Sequence, residues 1–208
     1  MIISHRHRFV FFAVPKTGTH SIRRALRPQL ADGDMEQVGL FVDKRFPYPE
    51  LASLGHGHVS YRQIAPVLGA ALDGYFKFAF VRNPFDRFVS YCAFMARDGE
   101  AFAQRPRDVM RFFIRDNPQL DHLLFRPQHE MLVDADGTPR MDFVGRSERS
   151  QADYDAICAR VGIATAPLGQ INATQHRHYA EYYDDELRGH VARFYARDLE
   201  LFGYGFDA

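Results

Sequence analysis

Two short apolar runs set the pattern of this chain. Phe9-Val-Phe-Phe-Ala-Val14 and Tyr75-Phe-Lys-Phe-Ala-Phe-Val81 are dense in Phe and Val and lack the alternation of a strand with one wet face. Each reads as a strand buried on both faces, over residues 8–14 and 75–82. Pro15 stops the first strand, because its ring removes a ladder donor. Lys16, Thr17, Gly18 and Thr19 then make a polar loop. From Thr19 the spacing predicts a helix to residue 30, with Ile22, Ala25 and Leu26 on one stripe and an end near Pro28. After the second strand, Asn83-Pro84 opens a helix with Pro at its first position, running through Phe88, Val89, Tyr91, Cys92 and Met95 to about Arg97.

The remaining pattern is weaker. Met1–Arg8 reads as leading directly into the first strand. Residues 31–57 are polar and broken by Gly and Pro, an irregular stretch long enough to serve as a functional loop. Ser60 is placed to cap a short helix ending at Gly69. A further short helix fits 108–115. Asp136-Gly137 predicts a hairpin within 128–145, ending in the strand-like Met141–Gly145. Helices are expected at 148–162 and 177–202, the last closed by Gly203. Strands alternating with helices predict an α/β fold, with a central, mainly parallel sheet flanked by helices. No repeat, low-complexity segment or linker marks a boundary, so 1–208 is expected to be one domain.

Composition narrows the partners. The chain has 46% apolar and 25% charged residues, no net charge and a pI of about 7.2. A whole-protein field that gathers nucleic acid or anionic membrane is therefore not indicated, although a local basic patch is compatible. Cys92 and Cys158 are the only cysteines, and their spacing suggests neither a zinc site nor a disulfide framework. No stretch has the length and apolarity of a membrane span, and no signal-peptide pattern is present. These features predict a cytoplasmic protein without a bound metal.

Three segments carry candidate chemistry. The first is the Lys16 loop, where a strand, a Gly-containing turn and a helix N-terminus form a cradle for an anion. It is not a Walker A loop, since no Gly-Lys pair precedes Ser or Thr. The second is Arg82, which leaves the carboxyl end of a strand, where open α/β sheets bind ligands. Its planar fork of donors suits a phosphate; pairing with Asp86 is the competing use. Arg87 and Ser90 follow at helical spacing. The second strand ends in Arg rather than the Asp of an NTPase. The third is His56-Gly57-His58. No further ligands for a metal lie nearby, so a general base is favoured, because imidazole titrates near neutral pH.

Together these segments resemble a known family. Pro15-Lys16-Thr17-Gly18-Thr19-His20-Ser21 resembles the 5′-phosphosulfate loop of sulfotransferases. Arg82-Asn83-Pro84-x-x-Arg87-x-x-Ser90-x-Tyr91 resembles their 3′-phosphate motif. His56-Gly57-His58-Val59-Ser60 is similar to the catalytic segment of the uronyl 2-O-sulfotransferases that act on heparan sulfate. Asp142-Phe-Val-Gly-Arg-Ser-Glu148 and Asn172-Ala-Thr174 are similar to the tail of carbohydrate-type sulfotransferases. The resemblance implies a P-loop-like sulfotransferase fold and the donor 3′-phosphoadenosine-5′-phosphosulfate. It implies that Lys16, Thr17, Gly18, Thr19 and Ser21 hold the 5′-phosphosulfate, that Arg82 and Ser90 hold the 3′-phosphate, and that Asn172 and Thr174 close over the nucleotide. His58 would be the base, with His56 beside it. His20 stands where many relatives carry a small hydroxyl residue; it either reaches the cofactor or caps the helix.

The acceptor is less defined. The His-Gly-His segment favours a glycan hydroxyl. Arg97, Arg105, Arg107, Arg111, Arg115, Arg126 and Arg140 either grip an acidic sugar or lie on solvated faces. The small chain without a membrane span suggests a bacterial enzyme acting on a glycan, a lipid-linked saccharide or a metabolite. Two other readings stay open: a kinase of P-loop type, and a nucleotide-binding module without catalysis.

Overall fold

The computed structural model describes residues 1–39, 45–169 and 177–207. In chain order its strands and α-helices are β1 (Ile2–Ser4), β2 (Phe9–Phe12), α1 (Thr19–Leu26), β3 (Met35–Glu36), α2 (Pro49–Ala52), α3 (Tyr61–Leu68), β4 (Phe76–Val81), α4 (Pro84–Met95), α5 (Ala101–Gln104), α6 (Pro106–Arg111), β5 (Phe143–Arg146), α7 (Ser150–Val161), α8 (Asp185–Phe194) and α9 (Ala196–Phe202). They form two compact units. One comprises Met1–Val81 and Glu130–Asn172, the other Arg82–His129 and Ala173–Ala208.

The first unit is built on a five-stranded sheet in the order β3-β1-β2-β4-β5. β2, β4 and β5 run parallel, as the alternation of strands with helices predicts; β1 is antiparallel to both β2 and β3. The sheet is therefore mixed, with a parallel centre. Phe9 to Phe12 are fully buried, and Phe11 stacks on Phe78 with ring centroids 5.3 Å apart. Ile22, Ala25 and Leu26 of α1 and Tyr154, Ile157 and Cys158 of α7 join the same apolar cluster.

The N-terminal stretch departs from expectation. Instead of running straight into β2, it makes β1 and then reverses through a turn. Asp34 holds that turn, accepting from Ser4 Oγ at 2.8 Å and from the His5 amide at 2.7 Å. A three-residue strand is too short to show a period. The Asp136-Gly137 turn forms as expected, with Gly137 at φ 79° and one antiparallel bridge between Val133 and Pro139. The strand that follows, β5, pairs not with that hairpin but in parallel with β4.

The second unit packs α4 against α6 and α8 around Phe88, Tyr91, Phe125, Leu187 and Tyr195. Two tyrosines bury their rings and satisfy their hydroxyls on backbone: Tyr183 Oη donates to Phe85 O at 2.8 Å and Tyr195 Oη to Phe125 O at 2.6 Å. The helix expected over 177–202 is broken into three pieces: a 3₁₀ turn at Tyr179–Tyr182, α8 and α9. Asp184 caps α8 by accepting from the Leu187 amide, and Tyr195, at φ −100° and ψ 23°, separates α8 from α9.

Candidate active site

In the first unit the site is built at the carboxyl end of β2, where the chain turns into α1. The turn is tight and unusual. Lys16 has φ 67°, a left-handed conformation rare for a residue with a Cβ. Gly18 follows at φ 78° and serves as the N-cap of α1. Beyond its chain neighbours, no atom lies within 4 Å of where a Gly18 Cβ would stand, so the backbone angle, not crowding, requires glycine there. Thr17 is buried, and its hydroxyl donates to Val14 O at 2.9 Å, while Ser147 Oγ donates to Thr17 O at 3.0 Å. The loop is thus pinned from both sides. Thr19 is buried, and His20 and Ser21 are partly exposed on the first turn of α1. Ser21 Oγ donates to Gly169 O at 2.6 Å, so its one proton must leave that carbonyl before it can serve a phosphate.

The loop fits an anionic group. The first amides of a helix have no acceptor within it. Gly18 supplies no capping side chain, and no acidic residue stands in the first turn of α1. The surroundings are cationic: burial first, then Arg23, Arg27 and Lys16, push the His20 imidazole below its usual range. His20 is therefore uncharged at neutral pH.

His56 and His58 belong to the same unit and are held at the same strand end. His58 Nδ1 lies 2.6 Å from Ala13 O. A carbonyl only accepts, so Nδ1 carries the proton and Nε2 the lone pair. Burial above all, with a further push from Arg23, drives the His58 pKa down to about 3, against the opposing hydrogen bond to Ala13. His56 takes the other tautomer: its Nδ1 accepts from the His58 amide at 3.3 Å, leaving the proton on Nε2. Burial lowers its pKa as well.

Two residues that the motifs do not reveal hold this segment. Arg23 of α1 is buried, and its Nη2 donates to Gly57 O at 2.9 Å and Gln37 O at 3.3 Å. Burial lowers its pKa to about 10, against the pull of Glu36, so it stays charged. Gln37 is buried too, and its Nε2 donates to His56 O and Leu51 O, both at 3.1 Å. The glycine between the histidines is required by this packing. A Cβ on Gly57 would stand 2.1 Å from Gln37 O and 2.7 Å from Arg23 Nη2.

The second unit begins with Arg82, the residue after the last of β4. Asn83 caps α4, its side chain accepting from the Phe85 amide at 3.0 Å, with Pro84 at the first helical position as expected. Arg82 Nε donates to Asp86 Oδ2 at 2.7 Å. The competing use read from the sequence is thus present, on a fork with five N–H donors. Ser90 is buried on α4, one turn beyond Asp86. Arg87 is buried and donates to Leu124 O at 3.0 Å, a use within the core. Asn172 and Thr174 lie outside the described residues.

The arginines considered for an acidic sugar are largely engaged. Arg111 pairs with Asp184 and Glu186, Arg115 with Asp116 and Glu186, Arg140 with Asp134, and Arg97 with Asp98. Among the described residues no group of three or more His, Cys, Asp or Glu is placed to hold a metal ion, and no helix is long and apolar enough to cross a membrane.

Comparison with known proteins adds independent findings. The model of the sulfotransferase family matches residues 1–205. Carbohydrate sulfotransferase 14 of Homo sapiens is 28% identical over 180 residues, covering 76% of this chain and 45% of that protein. Carbohydrate sulfotransferase 14 of Mus musculus is 27% identical over the same length and shares. The chain thus spans less than half the length of these curated relatives. No solved structure matches.

Proposed function

The chain belongs to the sulfotransferase family, and on that premise we propose that it is an O-sulfotransferase using 3′-phosphoadenosine-5′-phosphosulfate, with a glycan hydroxyl as acceptor. The similarity to carbohydrate sulfotransferase 14 supports the glycan. The observation that carries the reading is the His58 imidazole, bound through Nδ1 to the strand end from which the Lys16 loop departs.

When bound, the donor supplies a sulfuryl group already activated by its phosphate leaving group. The amides of residues 17–20 and the Lys16 ammonium hold the 5′ oxygens, where negative charge grows as the bond to sulfur breaks. His58 Nε2 takes the proton of the attacking hydroxyl. The Ala13 carbonyl steadies the imidazolium that forms, because its hydrogen bond to Nδ1 favours the protonated ring. A pKa of about 3 makes a weak base, but added negative charge near the ring raises its proton affinity. A bound anionic donor works in that direction. Arg82 and Ser90 take the 3′-phosphate, and Asn172 and Thr174 are assigned to the nucleotide on resemblance alone. His20, uncharged, contributes an N–H donor or packs at the helix start.

Titration calorimetry with adenosine 3′,5′-bisphosphate, ATP and AMP tests the nucleotide site. The bisphosphate is expected to bind at least about tenfold tighter than either competitor, the value of one good charge-assisted contact. Equal affinity for all three would remove the basis for the donor assignment.

A further inference from the structure

We propose that Gln128 is a positioning residue for Arg82, anchored in turn by Asp198; the proposal rests on the reading of Arg82 as a 3′-phosphate ligand. All these residues belong to the second unit. Gln128 is fully buried, and its side chain clamps the main chain of a single residue at two points. Its Oε1 accepts from the Arg82 amide at 2.9 Å, and its Nε2 donates to Arg82 O at 2.9 Å. The amide thus does for Arg82 what a neighbouring strand does inside a sheet.

The clamp is itself fixed. Asp198 of α9 is fully buried, and its Oδ2 accepts from the Gln128 amide at 2.7 Å. Its Oδ1 accepts from the His129 amide at 2.8 Å and from His129 Nδ1 at 2.7 Å. Burying a carboxylate is costly unless it is hydrogen-bonded, and here backbone and imidazole N–H groups meet it. The result is a relay from α9 through Gln128 to the first residue after β4.

Arg82 is held at its other end as well, by Asp86 at Nε. Its backbone and its guanidinium are both fixed before any ligand arrives. A side chain ordered in advance loses less freedom on binding a phosphate, and so binds it tighter. A clamp that served the fold alone would have no bearing on which ligand binds. A clamp that aims Arg82 would affect the 3′-phosphate and little else.

The test is calorimetry on the full chain with Arg82→Ala, Gln128→Met and the double variant, using adenosine 3′,5′-bisphosphate and AMP as probes. Gln128→Met keeps the side-chain volume and removes both hydrogen bonds. It is expected to weaken the bisphosphate about tenfold and to move AMP, which lacks the 3′-phosphate, less than about twofold. In the Arg82→Ala background it should cause no further loss, since coupled residues are non-additive. Asp198→Asn, which leaves the Gln128 amide in place but weakens its anchor, should give a smaller loss with the same ligand selectivity. It replaces Gln128→Met if that variant does not fold. If Arg82→Ala itself leaves bisphosphate affinity unchanged, the ligand reading fails and the proposal falls with it. If Arg82→Ala weakens binding but Gln128→Met does not, or the two losses multiply, or AMP weakens equally, the positioning role alone is overturned.

Discussion

Replacing His58 with alanine is expected to lower kcat by about 10²–10⁴-fold, the usual contribution of a positioned general base. The affinity for adenosine 3′,5′-bisphosphate should stay within about twofold, because the imidazole is assigned to the acceptor proton and not to the nucleotide. Added imidazole should restore part of the rate, since the variant leaves room beside the Ala13 carbonyl. The pH dependence has a definite sign. A base works unprotonated, and the His58 pKa lies far below the ordinary imidazole range, at about 3. The free enzyme therefore keeps Nε2 available from pH 8 down through pH 6, and protonation of His58 should not limit kcat/KM there. A His58→Ala variant with near-normal turnover would end the assignment.

Lys16 gives the second large effect, and its backbone makes the test two-sided. Lys16→Ala is expected to lower kcat by about 10²–10³-fold through loss of the cation at the leaving group. Lys16→Gly should lower it equally, but with a different effect on stability. Lys16 sits at φ 67°, and a left-handed residue with a Cβ costs roughly 1 kcal/mol more than glycine. Removing the Cβ should therefore hold or raise the melting temperature while turnover collapses. On the proposed role, the ammonium at the leaving group is the reason for a lysine where glycine would be easier. Wild-type turnover in both variants would contradict this. So would a loss of activity that merely follows a loss of folded protein.

The two central strands and the loops that leave them were legible in the sequence because their signals are local. Phe and Val density marks β2 and β4, Pro15 and Asn83-Pro84 mark their ends, and Gly18 marks the cap. The salt bridge of Arg82 with Asp86 is also local, at a spacing of four. What was not legible depends on distant partners or on very short elements. β1 has three residues, too few for a period to appear. Arg23 was half visible: it lies three residues before Leu26, beside the apolar stripe of α1, a place where a charge must find partners. Those partners, the carbonyls of Gln37 and Gly57, lie 14 and 34 residues away. Asp198 and Gln128 are separated by 70 residues, and no pattern in either segment announces the pairing. The C-terminal helix reads as continuous because its apolar spacing carries across Tyr195, but the backbone breaks there and again at Tyr183–Asp184.

The most direct measurement is transfer itself. The full chain would be incubated with donor labelled in the sulfuryl group and a panel of unsulfated glycosaminoglycans and smaller saccharides, with and without the His58→Ala change. Label in a saccharide product, formed in step with adenosine 3′,5′-bisphosphate and lost in the variant, is the predicted result. Label released only as free sulfate, or no consumption of the donor with any hydroxyl acceptor, would contradict the proposed reaction.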